Sequence, residues 1–273
     1  NSLNKKMFST ANVPYKIKND DEILKDPKNT IDFDHALHQK IMNDIKTMGT
    51  DARLVLDRDQ VVHVSMAEKL LVLQLSKLSN FIPDGGIWLN TQRPEWNDAN
   101  NALVGYGVSM VTLYYLNRHI SFINKVLTDV NETEFEISNE VLAWFKDAKE
   151  TYEKYSPAIY ERLDAVKRKT FVQELQKLFS NYRQKTYNKG SSGENKIKVI
   201  DIINFNNLVL AHFENSINNN YRDSLYSAYN TINIDNSNRI NVTSLYSMLE
   251  GQVSALSSGK VEPKNAIKVL TAL

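Results

Sequence analysis

The stretch Gly85 to Gly107, GGIWLNTQRPEWNDANNALVGYG, decides how the rest of the chain is read. It holds two of the three tryptophans, Trp88 and Trp96, with Arg93, Glu95, Asp98 and four asparagines, and it runs straight into a long apolar segment. Such residues fill a core only at a cost, because each buried amide or carboxylate needs a hydrogen-bonded partner to offset its lost hydration. The same mixture suits a carbohydrate. A sugar ring offers C–H faces to an indole and hydroxyls to Asn, Asp and Arg, so both residue types must converge on one concave surface. Trp88 and Trp96 are the candidate platforms.

The apolar segment that follows, Asn101 to Leu127, places Ala102, Leu103, Val104, Val108, Met110, Val111, Leu113, Tyr114 and Leu116 around most of a helical circumference, the pattern of a helix buried on all sides. Gly105 and Gly107 within it would let another backbone or a ligand approach closely. Helical periodicity also covers Phe33 to Thr47, Ser65 to Asn80, Ser138 to Tyr155, Pro157 to Tyr187, Lys196 to Asn219, Arg222 to Thr231, Val242 to Ser257 and Pro263 to the end. With only six prolines and nine glycines in 273 residues, strand and turn signals are sparse, and the expected fold class is all-α. The picture is an inner helix wrapped by amphipathic outer ones, in a single domain over 1–273 or an incomplete part of one. Asn188 to Asn195, NKGSSGEN, reads as an exposed flexible loop within it.

Composition narrows the function classes. Thirty-three Lys and Arg against 32 Asp and Glu leave a net charge of +1, which gives no general attraction to nucleic acid or to an anionic membrane. With no cysteine, disulfides, thiolate metal sites and cysteine nucleophiles are excluded. The longest apolar run, Ala102 to Leu116, falls short of the ~20 residues a bilayer span needs. The chain opens on Asn1 rather than Met, and the pattern AIKVLTAL reaches Leu273 without a stop signal, so a segment of a longer parent chain is expected. The compartment is left open.

Trp96-Asn97-Asp98 has two readings. Asn97 or Asp98 can cap the helix that follows, satisfying free backbone N–H groups for ~1 kcal/mol. Alternatively Asp98 is a general acid beside a sugar-stacking indole. A helix N-terminus lowers a carboxyl pKa whereas a general acid needs it raised, so burial against Trp96 would have to oppose the dipole.

The stretch resembles that of the phosphorylases and hydrolases built on the six-hairpin (α/α)6 toroid, where Gly-Asp-Trp-Asn-Asp enters an inner helix. The resemblance covers roughly residues 85–107, and weakly 245–258. It implies helical hairpins forming part of such a toroid, a glycosidic substrate, Asp98 as catalytic acid and Trp96 near the sugar. Pro94-Glu95 stands here where the cellobiose-phosphorylase-like pattern has Gly-Asp, a departure that leaves hydrolysis and phosphorolysis both open.

In LYSMLEGQVSALSSG, Glu250 is the candidate second carboxylate of an inverting pair roughly 6.5–9.5 Å apart, although an amphipathic helix alone accounts for the pattern. Glu95 is a further carboxylate candidate, and Gln92, Arg93, Asn97 and Asn100 complete the substrate-binding set. The expected partners are an oligosaccharide or glycoside, inorganic phosphate for phosphorolysis, and the remainder of a parent chain. No cofactor is expected. The alternative is a non-catalytic helical module that binds carbohydrate or protein through the same aromatic surface.

Other motifs read as structural. His35 and His38 lie three apart on a helix but lack a third metal ligand nearby, and His63 and His119 among apolar neighbours read as core histidines. Asp235 to Arg239 lacks the Gly and Glu of a calcium loop. Lys167-Arg168-Lys169, with Arg183 and Lys185 beyond, reads as a solvated helix face.

Overall fold

A computed structural model describes residues 3–90, 102–189, 192–234 and 238–273, with backbone only at 188 and 189. Several helices begin where a short extended segment hands over to a serine. Ser65 precedes α3 (Met66–Leu78) and its hydroxyl accepts from the Glu68 amide; Ser109 precedes α4 (Met110–Thr128) and accepts from the Thr112 amide. Ser138 occupies the same position before α5 (Asn139–Lys154). The Ser65 and Ser109 hydroxyls each satisfy an amide that the helix cannot, whereas the Ser138 hydroxyl donates to Glu68 instead. Earlier in the chain lie α1 (Asp20–Lys25) and α2 (His35–Met48), the latter capped by Asp34. Later come α6 (Ala165–Lys189), α7 (Val199–Asn219), α8 (Leu249–Ser257) and α9 (Pro263–Ala272).

Helices α3, α4, α5, α6 and α7 pack into one layer: α4 lies on α7, α5 on α6, and α3 on α5. Their interior is aromatic. Tyr152 of α5 sits among Phe81, Phe171, Phe205 and His212, and its hydroxyl donates to the Leu78 carbonyl at 3.0 Å.

The all-α expectation is overturned. The described chain is 56% helical and 21% strand, with a curled five-stranded antiparallel sheet. Its order is β15 (Ile240–Ser244), β14 (Tyr229–Ile234), β9 (Gly107–Ser109), β8 (Gly86–Trp88) and β7 (Phe81–Ile82). Smaller two-stranded pairs join β1 (Lys6–Ser9) to β6 (His63–Ser65), β2 (Tyr15–Ile17) to β3 (Ile31–Phe33), and β4 (Leu56–Asp57) to β5 (Gln60–Val61). Two more join β10 (Glu134–Ser138) to β11 (Glu194–Lys198) and β12 (Tyr221–Arg222) to β13 (Leu225–Tyr226). A chain so organised is mixed α/β, and the part-toroid of helical hairpins is not its architecture.

Three local causes explain the difference. The continuous helix expected from Asn101 is interrupted: Ala102 and Leu103 are helical, a turn follows, and α4 begins only at Met110, because Gly107, Val108 and Ser109 form the central strand, paired on one side with β8 and on the other with β14. A short apolar strand buried on both faces has no alternation to distinguish it from a helical turn. The helix expected over Arg222 to Thr231 is the β12–β13 hairpin followed by β14; Asp223 and Ser224 turn it at φ 49° and 66°. The β4–β5 hairpin uses Arg58 and Asp59 likewise, at φ 47° and 64°. Both turns need positive φ and neither contains glycine, so the usual hairpin signature is missing.

Candidate functional site

Residues 91–101 fall between β8 and β9 in sequence, and the described residues on either side of them are joined into a stem by buried polar contacts. Leu89 N–H donates to the Gly107 carbonyl at 2.9 Å, and Gly105 N–H donates to the Leu89 carbonyl at 2.8 Å. Trp88 is 2% exposed in a cluster with Ile82, Val108, Val172, Ile232 and Ile240, and its indole N–H donates to the Gly105 carbonyl at 3.1 Å. Its ring therefore holds the stem together and has no face open to a sugar. Gly105, at φ 87°, lies so close to the Pro27 carbonyl that a Cβ would come within 2.8 Å.

Asn90, at the exit of β8, is anchored to the helices. Its amide donates to Asn80 Oδ1 at 2.7 Å and Gln176 Oε1 at 3.2 Å, while Gln176 Nε2 donates to the Ser79 carbonyl at 2.6 Å and Asn80 Oδ1 at 2.8 Å. A second hub fixes the β7–β8 turn. Arg168, 8% exposed, donates to the carbonyls of Pro83, Leu163 and Ile240 and to Asp84 Oδ2 at 2.8 Å. Asn219 donates to Asp84 Oδ1 at 2.7 Å. The basic run around Arg168 is thus not uniformly solvated: Arg168 is buried here, and Arg183 is 4% exposed, donating to the Lys18 carbonyl.

Glu250 lies in the first turn of α8 and is exposed. Tyr229 Oη donates to its Oε2 at 3.0 Å. Two neighbours set its position. At Gly251 a Cβ would approach Ala228 N and Tyr226 O to 2.9 Å, so α8 seats directly on the 226–228 backbone. The Gln252 side chain then bonds both the N–H and the carbonyl of Tyr226, at 2.8 and 2.7 Å.

Tyr229 pairs with Ser109 across the sheet, and Ser109 with Ile87. Leu103, two residues past 101, packs with Leu245 and Met248 against Val111, Ala228 and Tyr229. Leu103 and the approach to Glu250, some 140 residues apart in sequence, therefore border one apolar cluster. Of the expected site residues, Trp88 and Glu250 have described positions; Gln92, Arg93, Glu95, Trp96, Asn97, Asp98 and Asn100 lie outside the described residues. The cap expected from Asn97 or Asp98 lies outside the described residues; α4 itself is capped by Ser109, with the Ala228 carbonyl accepting from the Met110 and Val111 amides.

The histidines divide differently from expectation. His63 is exposed rather than in the core, His35 and His38 pack on Phe33, and burial lowers the pKa of His119. His212 is the core histidine: burial pushes its pKa down to about 4, partly opposed by its bond to the Tyr152 carbonyl. Among the described residues no group of three His, Asp or Glu could hold a metal ion, and no helix is long and apolar enough to cross a membrane. No protein-family model matches the sequence, and no curated protein matches it at a significant level.

Proposed function

We propose that this chain carries a carbohydrate-active site that cleaves a glycosidic bond, with residues 91–101 supplying its sugar-binding and acid-donating groups. The observation supporting it is the shared cluster of Leu103, Tyr229, Leu245 and Met248, which brings Leu103, two residues past that stretch in sequence, beside the helix turn bearing Glu250. In this reading Trp96 stacks on the sugar, Arg93, Gln92, Asn97 and Asn100 bind its hydroxyls, and Asp98 protonates the leaving glycosidic oxygen. Water attacks the anomeric carbon while Glu250 accepts its proton, or phosphate attacks directly. Tyr229 fixes one oxygen of the Glu250 carboxylate, and Trp88 serves the stem rather than the substrate.

The test is tryptophan fluorescence titration with mono- and oligosaccharides, with and without phosphate, followed by assay of each binder for cleavage. Trp88 and Trp144, each 2% exposed, give a steady background against which Trp96 reports. Saturable quenching absent in Trp96→Ala, with cleavage falling by ~10²–10⁴ in Asp98→Asn while binding persists, is the expected result. Cleavage that survives Glu250→Gln only when phosphate is present identifies phosphorolysis. A folded wild-type protein that answers no saccharide, or turnover untouched in Asp98→Asn, overturns the proposal.

A further inference from the structure

At the end of α3 remote from the 91–101 stem, about 20 Å along the helix, a cavity of about 500 Å3 opens between the β4–β5 hairpin, β6, the first turns of α3 and α5, the last turns of α6 and the start of β11. Its wall includes Asp57, His63, Glu68, Glu140, Tyr182 and Glu194. Small-molecule sites occupy roughly 300–1,000 Å3, so the volume suits a compact ligand.

Two of these carboxylates are buried, Glu68 at 5% and Glu140 at 8% exposure. Glu68 accepts from the Ser138 amide at 3.1 Å and hydroxyl at 2.7 Å. Glu140 Oε1 accepts from the Ser192 amide at 2.9 Å, but its Oε2, equally buried, has no hydrogen-bond partner among the described residues. Neither carboxylate has an ion-pair partner there either. Lys6 is engaged by Glu194, lies 3.9 Å from Glu136 and also feels the charge of Glu68 without pairing with it.

The electrostatics agree with the geometry. Burial raises the pKa of Glu68, and the charges of Glu194 and Glu140 add to it against the Ser138 bonds. The Tyr182 hydroxyl is also pushed up, by burial and then by Glu68 and Glu140. The Tyr182 ring is held in place by stacking on Trp144, centroids 4.3 Å apart. Among the described residues, this buried negative charge beside an aromatic wall has no ion-paired cation of its own.

We propose that this cavity binds a small organic cation carrying a primary ammonium group, held by the negative charge of the Glu68 and Glu140 carboxylates with the Tyr182 ring as its aromatic wall. An ammonium is a compact charge with three donors, able to reach acceptors that point in different directions. A divalent metal needs a cage of close oxygen ligands. Among the described residues these carboxylates do not approach closely enough to form one.

Isothermal titration of the whole chain at low salt with putrescine tests this, with n-butanol as the uncharged control and calcium chloride as the metal control. Amide NMR shifts are followed in parallel. The expected result is saturable putrescine binding with shifts centred on Ser138, Ser192 and Gly193, no response to n-butanol, and affinity at least ten-fold weaker in Glu140→Gln. The exposed control Glu150→Gln should bind as wild type. Should Glu140→Gln fail to fold, the wild-type shift map decides. Absence of saturable binding, shifts centred elsewhere, unchanged affinity in a folded Glu140→Gln, or calcium displacing putrescine each overturns the assignment.

Discussion

Around the β7–β8 turn, Arg168 is enclosed by three carbonyls and the Asp84 carboxylate. At the far end of α3, Glu140 is buried to the same degree and leaves one oxygen bare. Equal burial with unequal satisfaction separates two uses of a buried charge. A charge whose bonds are all made joins elements together and serves the scaffold; a charge left short of a partner is kept at a free-energy cost, and that cost falls when a ligand supplies the partner.

The sharpest way to break this comparison is Arg168→Met. It strands Asp84 as a buried carboxylate and frees three carbonyls that join the β7–β8 turn, α6 and β15. The expected loss is about 3–5 kcal/mol, the range for breaking a buried pair from one side. Urea unfolding at neutral pH measures it, and a loss below ~1 kcal/mol would reduce Arg168 to the solvated residue its basic neighbours suggest.

Gly86→Ala probes the same hub through the backbone. Gly86 sits at φ 120°, and a Cβ there would lie 2.6 Å from the Ser109 carbonyl, forcing β8 away from β9. The conformational strain alone is about 1–3 kcal/mol, and displacement of the paired strand adds to it. Hydrogen exchange should accelerate first at the Leu89 and Gly105 amides, which close the stem.

Gln176→Leu is milder. It removes a donor from the Ser79 carbonyl and an acceptor from Asn90 while keeping the volume roughly constant. An unsatisfied buried group costs about 1–3 kcal/mol. The substitution sharpens the functional reading as well, because Gln176 anchors the stem without reaching substrate: any saccharide turnover should fall, and a wild-type turnover number would detach the stem from the proposed chemistry.

Much of the helical layer was legible because periodicity and capping agree. The expected helices over 33–47, 65–80 and 138–155 fall on α2, α3 and α5, and Ser65 and Ser138 stand where caps belong. The sheet was hidden for physical reasons. Val108 and Ser109 are covered on both faces, so alternation is lost, and the Arg58-Asp59 and Asp223-Ser224 turns take positive φ without glycine. Trp88 invited a stacking role by composition, yet its buried indole N–H serves the Gly105 carbonyl. Glu250 came from a weak resemblance, and its approach to Leu103 through Tyr229 depends on sheet pairing that no local pattern encodes. The Glu68 and Glu140 pair left no motif, since the two come from different helices and meet only through packing.

The smallest expected effect has the opposite sign, which makes it the most discriminating. Glu68 has a folded-state pKa raised above its ordinary value of 4.5, chiefly by burial. Between pH 4.5 and that raised value the folded chain binds more protons than the unfolded one, so stability falls as pH rises through this window and stays reduced above it. Glu68→Gln removes the penalty while its amide can still accept from the Ser138 N–H. The variant should therefore unfold at higher urea concentration than wild type at pH 7, with the advantage disappearing below pH 4.5. His212 supplies an internal reference: its pKa, pushed down to about 4, makes wild type and variant alike lose stability on acidification from pH 6.5. If Glu68→Gln instead destabilises at pH 7, the carboxylate belongs with Arg168 as a satisfied structural group, and the contrast between the two ends of α3 fails.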